Sequence, residues 1–271
     1  MNASIYNAAA QWQSRAVVVR HLRVHVRNWH TMLLPPVCEP LILLLAFGVG
    51  LGRQIQGFNW QGHDLSYLKY LAPGMLAYTA FMTSFFQALF GAFVRMHFQK
   101  SWEGQLTTMV RLEHVVWGEA FWAALYATGY AVVLGIVLAL FGLSGRLELQ
   151  WHWLPLVVPL LFLASLAFAS AGLFFTAVVP TIDHMSLPFF LVIMPIAFAS
   201  STYFPLPDVP GLREIALVNP LHHLAEGLRW LLVTGRFTWH LPVSAALCLL
   251  LLCLLIPLDM KLLRRRIFGE K

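Results

Sequence analysis

The chain has 271 residues, of which 59% are hydrophobic and 11% are charged, and its mean hydropathy is +0.71. A soluble domain carries about 25% charged residues, so this composition excludes an ordinary water-soluble protein and indicates a chain surrounded mostly by lipid. The net charge of +6 comes from Lys and Arg between apolar stretches, without a basic patch interleaved with aromatics, so no nucleic-acid partner is expected.

Six apolar stretches divide the chain, and a helix needs about 20 such residues to cross a bilayer. A helix is favoured because unpaired backbone amides cannot be left in hydrocarbon. We therefore predict an all-α, polytopic membrane protein whose single transmembrane domain covers residues 1–271. The predicted spans lie near residues 33–52, 70–93, 116–142, 153–179, 185–204 and 239–260.

The distribution of positive charge predicts the orientation of the chain. With six spans both ends lie on one side, and two-thirds of the 18 Lys and Arg residues fall on that side. Cytoplasmic segments retain such residues, so both termini are predicted to be cytoplasmic. The cysteines Cys38, Cys248 and Cys253 lie inside apolar spans, so no disulfide is expected.

Residues 11–31 precede the first span and combine arginines with large apolar side chains. The apolar side chains recur at steps of seven and three residues: Trp12, Val19, Val26 and Trp29. This pattern favours an amphipathic helix in the headgroup plane that enters the first span at Pro35-Pro36; the alternative is an ordinary basic flank. Glu39, just inside that span, either pairs with one of these arginines or acts at a cytoplasmic gate.

Residues 95–113 form a loop of mixed charge on the predicted cytoplasmic side. Ser101 is expected to cap a short helix, and Thr107-Thr108 to interrupt or end it. The exposed face of this helix is predicted to carry Trp102, Leu106 and Met109. Such a helix docks a soluble partner or, alternatively, lies on the bilayer.

Residues 205–238 open with a turn-rich break and continue as two short apolar pieces, Leu212–Val218 and Leu221–Val233. Neither piece is long enough to cross a bilayer, so we predict a re-entrant helix pair that dips into the outer leaflet between the fifth and sixth spans. Asn219 is expected to cap the second piece, with Pro220 at its first helical position.

The second of these pieces carries charged and imidazole side chains. Glu226 and Arg229 are three residues apart and are predicted to pair. His222 and His223 point to different faces and lack partners at a metal-binding spacing, so no metal site is expected. The sequence contains no phosphate-binding loop and no hydrolase motif, so we expect neither ATP hydrolysis nor another catalytic site in this chain.

Three local motifs point to a family by their order and spacing taken together. They are Tyr70-Leu71-Ala72-Pro73-Gly74-Met75, then Phe93-Val94-Arg95-Met96-His97 followed by Trp102-Glu103, and finally Asn219-Pro220-Leu221-His222-His223. Over nearly its whole length the chain resembles the permease subunit of type-2 ABC (ABC-2) exporters. Within that family it is most similar to the branch that includes the nodulation-factor lipo-chitooligosaccharide exporters.

The resemblance implies a bacterial inner-membrane exporter made of two such permeases and two separate ATPase subunits. The ATPase would bind ATP and Mg, and this chain would bind no cofactor. The loop after the second span is similar to the coupling helix that docks into the ATPase, and the matching residues are Gln99, Lys100, Ser101, Trp102, Glu103, Gln105 and Leu106. Re-entrant helices close the exit in that family, and the matching gate residues are Asn219, Pro220, His222, Glu226 and Arg229.

The 10 Trp and 7 Tyr residues give a clue to the substrate. Aromatic faces inside a conduit can stack against sugar rings; the alternative is that they form interfacial belts. The candidates for the conduit wall are Tyr78, Phe81, Trp122, Tyr126 and Tyr203. We expect export of an amphiphilic, lipid-linked or lipid-modified oligosaccharide. A drug or lipid exporter of the same architecture is the first alternative, and an integral-membrane transferase is the second, although the scattered acidic residues argue against an enzyme.

Overall fold

The computed structural model describes residues 2–30 and 58–269, apart from positions 144, 146, 208 and 210, together with the single positions 38, 41, 42, 45, 46 and 50. The predictions for most of the first span, for its bend at Pro35-Pro36 and for Glu39 lie outside these residues. The described helices and strands, in chain order, are α1 (Asn2–Ala10), α2 (Trp12–Arg27), β1 (Phe58–Trp60), β2 (His63–Leu65), α3 (Tyr67–His97), α4 (Ser101–Leu106), α5 (Leu112–Gly142), α6 (Trp151–Val178), α7 (Ile182–Phe198), α8 (Leu212–Val218), α9 (Pro220–Arg229) and α10 (His240–Phe268).

Within the described ranges, four helices are long and apolar enough to cross a membrane, namely α3, α5, α6 and α10, with 28 to 31 residues each. At 1.5 Å per residue they measure about 42–46 Å, which covers the hydrocarbon core and the headgroup layers. They coincide with the second, third, fourth and sixth predicted spans, and α10 runs on to Phe268 instead of ending near residue 260.

The predicted fifth span at 185–204 corresponds to α7, which is shorter and ends at Phe198. At about 25 Å, α7 does not reach the length of the other four helices. Beyond Phe198, backbone carbonyls accept hydrogen bonds from side chains of other elements. These bonds are Asn219 to Ala199 O, Tyr70 and Arg229 to Ser201 O, and Tyr67 to Tyr203 O.

The expectation of an all-α chain is wrong in one detail, because β1 and β2 form a small antiparallel hairpin ahead of α3. Its turn residues, Gln61 and Gly62, both have positive φ, at 48° and 82°, as a two-residue hairpin turn requires. Trp60 at the end of β1 is buried against Trp230, with ring centroids 4.7 Å apart. The hairpin therefore packs on the segment that follows α9.

Helix α3 is packed closely against α6 at a π-helical turn, Gln87–Gly91. A Cβ at Gly172 of α6 would lie 2.5 Å from the carbonyl oxygen of Phe85, so only glycine allows this approach. The hydroxyl of Thr176 donates to the carbonyls of Ala88 and Leu89, at 2.8 and 2.9 Å. A carbonyl freed by a π turn needs such a partner in hydrocarbon, so Thr176 stabilises the irregular turn.

Helices α1 and α2 pack on the first part of α5. The indole nitrogen of Trp117 donates to the Ile5 carbonyl at 2.8 Å, and a Cβ at Gly118 would lie 2.5 Å from the Cβ of Val17. The amphipathic helix predicted over residues 11–31 corresponds to α2, which begins at Trp12 and ends at Arg27, and its placement in the headgroup plane stays a prediction. Its apolar stripe, from Trp12 to Trp29, is exposed, as a lipid-facing surface would be.

Candidate functional site

A fully buried carboxylate, Glu119 of α5, joins four elements near one end of the bundle. Arg95 at the end of α3 donates to both of its oxygens, with Nη2–Oε2 at 2.5 Å and Nε at 3.0 Å from each oxygen. The indole nitrogen of Trp102 in α4 donates to Oε1 at 2.9 Å. Nε2 of His21 in α2 lies 3.2 Å from the same oxygen. We call these four residues the Glu119 cluster.

The Glu119 cluster is held by charge as well as by packing. A carboxylate at this depth in a membrane protein is costly unless it is paired, and the two-pronged contact with Arg95 provides the pairing. Removing one partner of such a buried pair leaves an uncompensated charge. The cluster therefore fixes α4 relative to α2, α3 and α5.

Helix α4 has the predicted position and end but a different start. Thr107 follows its last residue, which confirms the predicted end, whereas Ser101 is not the cap. Lys100 occupies the cap position with a left-handed backbone (φ 51°), and Ser101 already lies in the first turn, where its hydroxyl donates to the Arg95 carbonyl at 3.1 Å. The left-handed residue turns the chain sharply from α3 into α4.

The predicted exposed face of α4 is wrong for Trp102, which is 1% exposed because its indole ring reaches Glu119. Leu106 is half-buried, whereas Met109, just beyond the helix, is 81% exposed. The surface of this region is formed instead by exposed side chains on either side of the buried ring. These are Phe98, Gln99, Lys100, Glu103, Thr107 and Met109.

The charged pair on the surface of α4 differs in kind from the Glu119 cluster. Lys100 Nζ lies 2.9 Å from Glu103 Oε1, and the two side chains are 60% and 62% exposed. Water screens such a pair, so it contributes little to stability and leaves both groups accessible. The amide of Gln105 has no hydrogen-bond partner among the described residues, although it is shielded from solvent.

A second buried cluster, which we call the Arg229 cluster, lies at the other end of α3. Arg229 is fully buried and donates to Glu226 at 2.5 Å, which confirms the predicted pair. It also donates to the carbonyls of Tyr70, at 3.0 Å, and Ser201, at 2.8 Å. Its guanidinium carbon lies 3.7 Å from the centre of the Tyr70 ring, a cation–π contact. The cluster joins α3, α9 and the segment after α7.

A glycine of the first sequence motif makes the Arg229 cluster possible. A Cβ at Gly74 would overlap the carbonyl oxygen of Thr202 and lie 3.0 Å from Nη2 of Arg229. Only glycine lets the segment after α7 approach α3 so closely. Tyr70 and Gly74, about one turn apart in α3, thus share one buried site with Arg229 from a distant part of the sequence.

Asn219 and Pro220 have the roles that the sequence predicts for them. The side-chain oxygen of Asn219 accepts from the Leu221 amide at 3.0 Å, and Pro220 is the first residue of α9. The side-chain nitrogen of Asn219 also donates to the carbonyls of Ile196 and Ala199, at 2.8 and 3.1 Å. Asn219 therefore fastens the start of α9 to the end of α7.

The two histidines of α9, His222 and His223, differ in burial. This difference agrees with the prediction that they point to different faces of the helix. His223 is buried, with Nε2 2.9 Å from the Leu217 carbonyl and Nδ1 3.0 Å from Nδ1 of His240. His222 is half-buried. His223 therefore links α8, α9 and α10 at this end of the bundle.

The five candidates for the conduit wall do not share one surface. Trp122 and Tyr126 contact each other along α5, with ring centroids 5.7 Å apart, and Tyr126 accepts a hydrogen bond from Tyr130 at 2.7 Å. Tyr78 meets Tyr203 edge to face at 5.3 Å. The remaining candidate lies in the core between α3 and α6.

That remaining candidate is Phe81, which is buried with its ring 4.8 Å from that of Phe168. A ring enclosed in this way fills space between two helices of its own chain. The aromatic row on α5 also contacts α2, because the His25 ring lies 5.6 Å from Trp122. Partial burial lowers the pKa of His25. His25 thus adds a neutral ring to the row at its α2 end.

Several of these residues were not singled out from the sequence. Glu119 lies inside the predicted third span, and an ionisable residue at membrane depth is itself a signal of function or pairing. The importance of Gly74 and Ser201 depends on contacts between distant segments, which no local pattern reveals.

Comparison with known proteins gives a consistent result. Residues 13–233 match the model of a family described as ABC-2 type transporter. The chain is 35% identical over 238 residues to Nodulation protein J of Rhizobium leguminosarum bv. trifolii, which covers 87% of this chain and 86% of the relative. It is 32% identical over 194 residues to Nodulation protein J of Rhizobium meliloti (strain 1021), 71% of each protein. A putative transport permease, ycf38 of Cyanophora paradoxa, is 23% identical over 222 residues, 81% of this chain and 74% of the relative.

The long apolar helices and the buried ionic clusters define a multi-pass α-helical membrane protein. The extent of the family match and the identity to these relatives show that the chain belongs to the ABC-2 type transporter family. It is a transport permease, and the resemblance predicted from the three motifs is confirmed.

Proposed function

We propose that this chain is the membrane subunit of an ATP-driven exporter in the bacterial inner membrane. Two copies of it work with two copies of a separate ABC ATPase, which binds ATP and Mg. Each copy crosses the membrane six times with both termini in the cytoplasm, and α8 and α9 form a re-entrant pair that closes the exit. The exported substrate is an amphiphilic, lipid-linked or lipid-modified oligosaccharide.

The observation that carries this proposal is the meeting of four elements at Glu119. Helix α4 has under two turns, so its own hydrogen bonds do not hold it in place. Trp102 fastens it to Glu119, Arg95 fastens α3 to the same carboxylate, and His21 of α2 lies 3.2 Å from it. When the ATPase pair closes and displaces α4, the membrane helices move with it.

The same helix that carries Arg95 also reaches the proposed gate. Tyr70 and Arg95 are both in α3, about 37 Å apart at 1.5 Å per residue. Tyr70 contributes its carbonyl and its ring to the Arg229 cluster. A tilt of α3 that starts at the Glu119 cluster therefore changes the position of the α9 contacts, which is how we propose that the exit opens.

The proposed substrate is supported by the aromatic row on α5 and by the relatives. Trp122, Tyr126 and Tyr130 follow one another at steps of four residues, so they line one side of the helix. Trp122 and Tyr130 are buried and hold the row in place, whereas Tyr126 is half-buried, so we propose that Tyr126 offers its ring face and its phenol group to the sugar. The relatives at 32–35% identity are called Nodulation protein J.

The proposal is tested with vesicles that contain the permease, the ABC ATPase proposed as its partner, and a fluorescent lipid-modified oligosaccharide. Trp102→Phe retains an aromatic ring but removes the donor to Glu119, and Glu103→Arg reverses an exposed charge of α4. We expect each variant to insert normally and to lower export about tenfold while ATP hydrolysis continues. Trp102→Phe loses a bond to a buried charge, which contributes about 1.5–3 kcal/mol. Glu103→Arg reverses a charge on the exposed surface that we propose meets the ATPase.

Two matched variants serve as controls. Trp12→Phe changes an exposed tryptophan of α2, and Glu148→Arg reverses an exposed charge between α5 and α6. Both are expected to export at the wild-type rate. Wild-type export by Trp102→Phe and Glu103→Arg would remove the coupling role of α4, and ATP-driven export of hydrophobic drugs without the oligosaccharide would favour the alternative substrate.

A further inference from the structure

The last turn of α10 is fixed in place by Arg266. Its guanidinium donates to four backbone carbonyls at the end of α6: Thr176 at 2.7 Å, Ala177 at 3.1 Å, Val179 at 2.6 Å and Pro180 at 3.2 Å. Its Nη2 also lies 2.7 Å from Nε2 of His97, the last residue of α3. A cation at the carbonyl end of a helix is favourable, so this contact joins α10 firmly to α6 and α3.

The same turn is fastened on its other side. Arg264 pairs with Glu113 at the start of α5, at 2.6 Å. Despite these two anchors, Phe268 at the end of the turn is 54% exposed. The two arginines hold the backbone of this turn in place. The exposed phenyl ring of Phe268 is therefore preorganised for contact with a partner molecule.

Two clefts lie between residues 96–113 and the end of α10, and Phe268 borders both of them. The first has a volume of about 420 Å³ and lies between α4 and the end of α10. The second, of about 600 Å³, lies between the residues after α4 and the same end of α10. Leu106 and Phe268 line both clefts, so these two side chains stand between them.

The two clefts have the same balance of charge. The first is bordered by Lys100 and Arg266 against Glu103. The second is bordered by Arg111 and Arg264 against Glu113, so each carries one more basic than acidic side chain. A partner that fits this surface presents an apolar ridge flanked by acidic side chains.

We propose that Phe268 and the last turn of α10 form a second contact surface for the ABC ATPase, beside α4. This inference rests on the proposed function, since it assigns to the ATPase the surface that α4 begins. The two clefts receive side chains of one ATPase subunit, and the centre of the contact is formed by Leu106, Met109 and Phe268. Closure of the ATPase is then transmitted to α10 and α6 as well as to α3.

The test measures the affinity of the purified ABC ATPase proposed as the partner for the permease in lipid nanodiscs. Phe268→Ala is expected to weaken binding about tenfold, as removal of an aromatic anchor at the centre of an interface does. Met109→Ala is expected to weaken it by a smaller factor. The matched control is Leu254→Ala, which truncates a similarly exposed side chain of the same helix within the predicted sixth span. This variant should bind the ATPase like the wild type.

The outcomes separate this inference from the proposed function. If Glu103→Arg weakens binding while Phe268→Ala and Phe268→Glu do not, the second contact is wrong and the coupling role of α4 stands. If the ATPase binds all variants equally well, both assignments fail. Wild-type behaviour in size-exclusion chromatography shows that Phe268→Ala is folded, so a loss of affinity in that variant reports on the contact itself.

Discussion

Replacement of Glu119 by glutamine removes the central charge of the Glu119 cluster while it retains the shape of the side chain. The amide oxygen can still accept from Trp102, but Arg95, which is 12% exposed, loses its counter-charge. Loss of one partner from a buried pair costs about 3–5 kcal/mol. Because a glutamine retains part of the hydrogen bonding, we expect the free energy of unfolding to fall by about 3 kcal/mol.

The matched comparison is Glu103→Gln, which removes the same kind of charge from a pair whose two members are 60% and 62% exposed. Exposed pairs contribute about 0.2–1 kcal/mol, so this variant should be close to the wild type. The double variant Arg95→Met/Glu119→Met should recover part of the loss, since it leaves no unpaired charge. Unfolding is followed in mixed micelles with an increasing fraction of SDS. Equal stability of Glu119→Gln and Glu103→Gln would refute the assignment of Glu119 as the centre that holds α4.

Three further predictions follow from single contacts. Thr176→Val removes the hydroxyl that donates to the carbonyls at the π turn of α3, so it should lower the free energy of unfolding by about 1–2 kcal/mol in the same SDS titration. Its control is Thr128→Val, which should change the free energy of unfolding little, because the Thr128 hydroxyl has no hydrogen-bond partner in the described part of the chain. Gly74→Ala should cost about 1–3 kcal/mol because its methyl group collides with the segment after α7, while Gly129→Ala, with open space around it, should be neutral or slightly stabilising. Arg229→Lys retains the charge but cannot donate to three acceptors in a plane, so export in vesicles should fall about tenfold with normal insertion; wild-type export would contradict the gate role.

Hydropathy predicted the four long helices because length and apolar composition are local properties of the chain. The same holds for the Asn219 cap and for the pair of Glu226 and Arg229, whose spacing within one helix decides their contact. These features are confirmed by the structure.

The features that were missed depend on tertiary contacts or on very short elements. Trp102 was expected on the surface of α4, since the periodicity of a six-residue helix does not say which apolar face is covered, and the partner that buries it is Glu119 of another helix. The hairpin has strands of three residues each, which is too short for an alternating pattern to be recognised.

The central claim is that this permease moves its substrate only when a separate ATPase drives it through α4. The most direct measurement places the purified permease alone in sealed vesicles with ATP, Mg and the fluorescent oligosaccharide, and then adds the ATPase. We expect no ATP hydrolysis and no accumulation of substrate before the addition, and export after it. Uphill transport or nucleotide turnover by the permease alone would contradict the account.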